Sequence, residues 1–190
     1  ESSMTLAAIE KDELTGLYTR QAFYHHARTF THFMTEEKFN VVILDVADFK
    51  LINGTYGTKK GNEVLVYLSN AFRYYVKNGL LTRYEGDQLL GLFHSKVKMD
   101  VERINRNINK IAEEAPIPNI RIKVGIYEDI DTSLSIPIIC DRALMAEKSI
   151  SKDFKTNVAF YTDEMNQKQL AQRQMENDFK SAIANKEFKV

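Results

Sequence analysis

Cysteine, proline and long apolar runs are all scarce in this sequence of 190 residues. The single cysteine, Cys140, excludes an internal disulfide and fits a protein of the reducing cytoplasm. With three prolines and no low-complexity stretch, the chain has no linker that would divide its body. No apolar run approaches the roughly 20 residues that a membrane span requires, so we expect no membrane contact by this segment. A longer parent protein would carry any membrane anchor elsewhere.

Net charge is absent as well. Lys plus Arg and Asp plus Glu both number 26, so the sequence has no surplus of basic residues for nucleic acid. We therefore expect small-molecule or protein partners and no nucleic acid. Hydrophobic residues make up 44% of the chain, which is enough for one buried core. The composition predicts one domain with room for a short appendage.

The hydrophobic pattern predicts helices that alternate with single and paired strands. FNVVILDV, residues 39–46, is an unbroken apolar run typical of a central strand. Thr19 is placed to cap a helix that runs to about Glu37, and Asn53-Gly54 is expected to break a short helix after the strand. This order is typical of an α+β, ferredoxin-like fold whose mostly antiparallel sheet has about five strands flanked by helices. The remaining predictions are a helix over 63–76, a hairpin over 80–93, a helix over 99–114, a strand over 120–127, a helix over 136–150, a strand over 157–161 and a long helix from 162.

Two acidic residues follow or join predicted strands. Asp45 stands at the end of the central strand, and Asp87 lies in the hairpin turn. If the hairpin lies beside the central strand, both carboxylates point at one spot and suit a hard cation such as Mg²⁺. Lys50 and the N–H groups that open the short helix would then hold a phosphate. The alternative is structural, because an Asp after a strand often caps a helix and an acid is common in a hairpin turn.

Five motifs stand in order along the chain: DELTGLYTR (12–20), DVADFKLINGTYGTKKGN (45–62), RYEGDQL (83–89), KVGI (123–126) and CDRALMAEK (140–148). Together they resemble the GGDEF domain of the diguanylate cyclase family. The resemblance implies a GGDEF fold, which is a ferredoxin-like relative of adenylyl cyclase catalytic domains. It also implies that two such domains face each other as a homodimer, each with one GTP, and form cyclic di-GMP with the help of Mg²⁺.

The resemblance assigns roles to individual residues of this chain. Asp45, the carbonyl of Val46 and Asp87 would bind Mg²⁺, and Asp87 and Gln88 occupy the catalytic positions. The implied nucleotide-binding residues are Lys50 and Lys148 for the phosphates, Asn53 and Asn62 for guanine, and Arg83, Glu85 and Gly86 beside the nucleotide.

The family signature is altered in this chain, where it reads Glu85-Gly86-Asp87-Gln88-Leu89. Gln88 replaces an acid that in the family helps to hold metal and to deprotonate the attacking hydroxyl. Losing such a group typically costs on the order of 10² to 10⁴ in rate. Glu85 replaces a glycine and places a negative charge near the triphosphate, which weakens anion binding. Asn62 replaces an aspartate that accepts hydrogen bonds from guanine, so selectivity for the base should soften.

These departures predict a degenerate GGDEF domain that regulates cyclic di-GMP signalling, binds GTP weakly and lacks efficient cyclase chemistry. Two alternatives stay open: a slow but active diguanylate cyclase, and a ligand-free module that only pairs protomers. We expect an N-terminal linker or helix end over 1–11, the GGDEF domain over 12–162 and a linker helix over 163–190. That helix resembles the connection to a C-terminal EAL phosphodiesterase domain in GGDEF-EAL proteins.

Overall fold

The computed structural model describes residues 10–33, 37–94, 96–153 and 156–187. The strands in these ranges are β1 (Tyr18–Thr19), β2 (Phe39–Val46), β3 (Leu80–Glu85), β4 (Gln88–His94), β5 (Ile122–Tyr127) and β6 (Val158–Phe160). The helices are α1 (Arg20–His32), α2 (Phe49–Tyr56), α3 (Thr58–Tyr75), α4 (Val101–Glu113), α5 (Ile136–Lys148) and α6 (Asp163–Glu187).

The strands form one sheet in the order β1-β3-β4-β2-β5-β6. The pairs among the four central strands, β3, β4, β2 and β5, are antiparallel, whereas edge strand β1 pairs in parallel with β3 and edge strand β6 pairs in parallel with β5. The predicted α+β class, with a central sheet flanked by helices, is confirmed. The sheet has six strands where about five were expected, because β1 contains only two residues and is too short to show an alternating pattern.

Strand β2 is central because it is apolar on both faces, as its sequence predicts. One face packs on α3 and α4, and the other packs on α1 and α5. Residues of the first core include Val42, Leu44 and Val46 from β2 with Val64, Leu68, Phe72 and Ile108; residues of the second include Val41 and Ile43 with Phe23, Ala27, Ile139 and Ala143. Helices packed on both faces fix β2 and hence the position of Asp45, its penultimate residue.

Two predicted helix ends are wrong. Thr19 does cap α1, since its hydroxyl accepts a hydrogen bond from the Ala22 N–H at 3.4 Å, but the helix ends at His32 and not near Glu37. Asn53-Gly54 does not break α2, which continues to Tyr56. The break comes at Gly57, whose φ of 85° is strained for other residues and whose N–H donates to the Asn53 carbonyl. Asn and Gly within a helix each cost about 1 kcal/mol or less, which the surrounding helix contacts offset.

Helix α6 extends over 25 residues, as the polar run from residue 162 predicts. Its apolar residues Met175, Phe179 and Ile183 lie four residues apart, on one side of the helix, and are exposed. Whether this helix leads to a further domain stays a prediction. None of the helices in the described ranges has the length and apolar character needed to cross a bilayer.

The contact between α5 and β5 depends on Gly125. A Cβ at this position would lie 2.2 Å from the Ala143 carbonyl oxygen and 2.5 Å from the Glu147 nitrogen. We expect Gly125→Ala to lower the free energy of unfolding by about 2 to 3 kcal/mol, because α5 must move away. Gly54→Ala is the matched control, since a Cβ there meets no atom within 4 Å and alanine favours the helix by about 1 kcal/mol. Urea denaturation measures both, and equal stabilities of the two variants would contradict the prediction.

Candidate functional site

The site begins with two carboxylates that the sheet brings together. Asp45 is the penultimate residue of β2, and Asp87 lies in the two-residue turn that joins β3 to β4. Because β4 pairs with β2, this turn lies beside the end of β2. Asp87 Oδ2 accepts a hydrogen bond from the Val46 N–H at 3.2 Å. The turn itself needs Gly86, which has a φ of 57°.

The electrostatics of Asp45 reflect this contact. The pKa of Asp45 is raised to about 8. Burial is the largest cause, followed by a hydrogen bond with Asp87 and by the negative charge of Asp87. Two adjacent carboxyl groups that cannot both ionise share a proton until a cation takes its place. Carboxylate oxygens are the ligands that Mg²⁺ prefers. The two side chains therefore fit a hard divalent cation.

Two carboxylates alone make an incomplete ligand set. In the ranges that the structure describes, no group of three or more His, Cys, Asp or Glu side chains could hold a metal ion. Backbone carbonyl groups, water or a phosphate would have to supply the other ligands. Such an open arrangement is typical of Mg²⁺ that is bound together with a nucleotide.

Gln88 lies next to this pair. Since Leu44 pairs with Leu89, the next positions place Gln88 of β4 beside Asp45, on the same face of the sheet. Its Oε1 is buried and has no hydrogen-bond partner. A neutral amide cannot accept a proton from a substrate hydroxyl, so this position lacks the acid–base chemistry of a carboxylate.

Asn53 and Asn62, the residues expected to bind guanine, lie on α2 and α3. Asn53 Oδ1 is buried without a partner and packs against Gly61, where a Cβ would lie only 1.8 Å from that oxygen. Asn62 lines an open cavity of about 590 Å³. Asn62 therefore has open space beside it for a ligand, and the unpaired oxygen of Asn53 is available to a polar group that reaches it. Other residues that line this cavity are Leu14, Lys59, Val66 and Tyr67.

The charged residues of the expected site divide into two groups. Lys50 on α2 and Lys148 at the end of α5 are exposed and form no ion pair with the described part of the chain. Arg83 is engaged within the protein, because it pairs with Asp12 at 3.2 Å and its Nε donates to the Gly86 carbonyl at 2.8 Å. Glu85 lies 3.8 Å from Arg20. Arg83 therefore fixes the turn that carries Asp87.

Sequence reasoning missed two charged residues close to Asp45. Lys123 of β5 lies directly across from Asp45 in the strand register, and its Nζ is 2.7 Å from Glu147 Oε1. Glu147 is only 1% exposed. The sequence did contain a signal for both residues. A lysine within the strand IRIKVGIY and an acid within an apolar helix are charged residues at positions expected to be buried, and buried charges are normally paired. Only the strand pairing shows that they are partners of each other.

The raised pKa of Asp45 predicts a pH-dependent stability. Between about pH 4, where an unfolded Asp releases its proton, and about pH 8, the folded chain binds more protons than the unfolded chain. Stability should therefore fall as pH rises through this range and level off above it. We expect Asp45→Asn to remove this fall and to melt a few degrees higher than the wild type at alkaline pH. Thermal denaturation with a chelator tests this, with the exposed Asp141→Asn as control; identical pH profiles for wild type and Asp45→Asn would contradict it.

Comparisons with known proteins identify the family of this chain. The family model described as "Diguanylate cyclase, GGDEF domain" matches residues 9–152. The chain is 27% identical over 127 residues to diguanylate cyclase DgcM of Escherichia coli, a match that covers 63% of this chain and 30% of DgcM. It is 24% identical over 155 residues to the probable diguanylate cyclase DgcT of Escherichia coli, covering 75% of this chain and 34% of DgcT. The chain thus spans about a third of the length of these relatives.

Two solved structures show the same fold. The GGDEF domain of TpbB (YfiN) from Pseudomonas aeruginosa superposes with a TM-score of 0.66 at 20% identity, covering 85% of this chain and 99% of that one. The coiled coil and GGDEF domain of DgcB from Caulobacter crescentus, solved in complex with c-di-GMP, gives a TM-score of 0.65 at 18% identity, covering 84% and 89%. These likenesses concern the fold. Because the family model covers most of the residues that form the sheet and the site, the chain belongs to the diguanylate cyclase GGDEF-domain family.

Proposed function

We propose that this chain is a degenerate GGDEF domain that binds GTP with Mg²⁺ weakly and regulates cyclic di-GMP signalling without efficient cyclase activity. The single observation that carries the proposal is Gln88. Its neutral amide stands beside Asp45, where the resemblance implies a carboxylate. The domain retains the acids that would bind the metal and lacks the group that would accept the proton.

The remaining residues support nucleotide binding. Asp45 and Asp87 would hold the Mg²⁺, which when bound neutralises the charge of the triphosphate. Lys50 and Lys148, both exposed, would contact the phosphates. Asn53 and Asn62 would bind the guanine base with neutral hydrogen bonds, which discriminate less well than the carboxylate of an aspartate. Weak affinity and relaxed base selectivity follow.

The proposal extends beyond these residues to the parent protein. We place the domain in the cytoplasm, as one half of a homodimer, and α6 as the start of a connection to a C-terminal EAL domain. The exposed apolar side chains of α6, among them Met175 and Phe179, support a partner for this helix.

A second candidate function is slow diguanylate cyclase activity. It is favoured by the contact between Asp87 and Val46 at 3.2 Å, because the changed signature still places Asp87 against the end of β2. Metal ions and positioning supply most of the rate in phosphoryl transfer, so an intact metal site without a base can retain a fraction of it.

Titration calorimetry tests the proposed function. We expect GTP to release heat on binding when Mg²⁺ is present and not when a chelator replaces it, with ATP binding only severalfold more weakly. Chromatography of prolonged reactions should show no cyclic di-GMP. A cyclic di-GMP peak would favour the slow cyclase, whereas absence of binding heat with every nucleotide would favour a ligand-free module.

A further inference from the structure

A buried ion pair lies behind the candidate metal site. Lys123 Nζ and Glu147 Oε1 are 2.7 Å apart, and their side chains are 22% and 2% exposed. Lys123 lies across from Asp45 on the neighbouring strand, so both side chains project from the same face of the sheet. Glu147 reaches this face from the last turn of α5. Four charged groups, Asp87, Asp45, Lys123 and Glu147, therefore follow one another along this edge of the site.

The fold keeps this pair in place at a cost. Removing two charges from water requires several kcal/mol per ion, which their attraction only partly offsets. Gly125 allows α5 to approach β5 closely enough for Glu147 to reach Lys123. Well-packed apolar residues in place of a buried ion pair are often equally or more stable. The charges therefore call for an explanation other than stability.

Both charges act on Asp45. Lys123 lies across from Asp45 in the strand register, and Glu147 lies 2.7 Å from Lys123, so both charges are close to Asp45. Glu147 is thus a third carboxylate within electrostatic reach of the metal-binding pair, and Lys123 is the cation that balances it. A fixed ammonium group here repels an arriving divalent cation, and the third carboxylate attracts it.

We infer that Lys123 is the counter-ion shared by Glu147 and the Asp45–Asp87 pair, and that the Lys123–Glu147 pair sets how tightly the site binds a divalent cation. This inference rests on the proposed function, because it concerns the affinity of the same metal site. Lys123 and Glu147 are positioning residues in this role. They act through the charge that they present to Asp45 and do not themselves ligate the metal.

Binding of Mn²⁺ to the whole chain, measured from the electron paramagnetic resonance signal of free Mn²⁺ at mildly alkaline pH, tests the inference. We expect Lys123→Met to tighten Mn²⁺ binding by about tenfold, because the repelling charge is gone. Glu147→Gln should weaken binding severalfold, because Lys123 is then left to pair with Asp45. Opposite shifts distinguish this role from a purely structural one, in which both substitutions would loosen the site.

Lys123→Met leaves Glu147 buried without its partner and is the variant most prone to unfold. If it does not fold, Glu147→Gln is compared with the double variant Lys123→Met/Glu147→Gln, which leaves no buried charge unpaired. Adding Lys123→Met to Glu147→Gln should again tighten Mn²⁺ binding. Lys38→Met and Asp129→Asn are the matched controls, since they break an exposed ion pair of 2.8 Å at the far ends of β2 and β5. They should leave Mn²⁺ binding unchanged.

The outcomes separate this inference from the proposed function. Tighter binding on loss of Lys123 together with weaker binding on loss of Glu147 supports the inference. Any other pattern among proteins that bind Mn²⁺ overturns it and leaves the metal site in place. Failure of the wild type and all variants to bind Mn²⁺ overturns both the inference and the proposed function.

Discussion

Replacing Gln88 by glutamate, together with Glu85→Gly, is expected to raise the rate of cyclic di-GMP formation from GTP by about 10² to 10⁴. Glutamate at position 88 would stand beside Asp45 and provide both a third carboxylate for the metal and an acceptor for the proton of the attacking hydroxyl. Glycine at position 85 would remove a negative charge that lies 3.8 Å from Arg20. Product is measured by chromatography of timed reactions with GTP and Mg²⁺.

Gln88→Met is the matched control for this gain. It has nearly the same volume and removes the buried, unpaired Oε1, but it offers no proton acceptor, so it should not raise turnover. Gln88→Glu without Glu85→Gly should give a smaller gain than the double variant. If the double variant folds and binds GTP but forms no more cyclic di-GMP than the wild type, the low activity has another cause.

Asp87→Asn is expected to abolish Mg²⁺-dependent binding of GTP while leaving the fold intact. Even a residue that only orients a metal ligand contributes about 10- to 100-fold to affinity, so the loss of a ligand should weaken binding by at least about 100-fold. The asparagine carbonyl can still accept the hydrogen bond from the Val46 N–H. Removing one of two facing carboxylates also relieves their repulsion, so the melting temperature should stay equal or rise.

Calorimetry with GTP and Mg²⁺ and thermal denaturation are measured on the same preparations of Asp87→Asn. Asp141→Asn, at an exposed position of α5, is the control and should behave like the wild type in both. If Asp87→Asn binds GTP as tightly as the wild type, Asp87 is an ordinary turn residue, which is the structural alternative considered for it in the sequence.

Local patterns predicted most of the secondary structure because the core is strongly patterned. The run FNVVILDV predicted β2, and Thr19 predicted the start of α1. The patterns failed where an element was too short to show a period, or where the surrounding helix overrode a local turn signal. β1 has two residues, and Asn53-Gly54 is a turn signal that α2 includes without breaking.

The sequence predicted individual residues of the candidate site but few of the contacts between them. Asp45 and Asp87 were expected to meet because a hairpin beside a central strand places them there, and Asp87 does bind the Val46 N–H. The partners of Arg83 and Glu85 could not be predicted. They depend on Asp12 and Arg20, which lie more than 60 residues earlier in the chain, and sequence spacing does not determine such distant contacts.

The sequence by itself determined which residue types are present, where the chain alternates and which motifs it shares with the GGDEF family, since composition, periodicity and short motifs are local properties. The tertiary structure decided which charges face each other. The pairing of β2 with β5 and the packing of α5 on Gly125 place Lys123 between Asp45 and Glu147. Electrostatic energy depends on distance through space and on burial, and both become defined only when the chain folds.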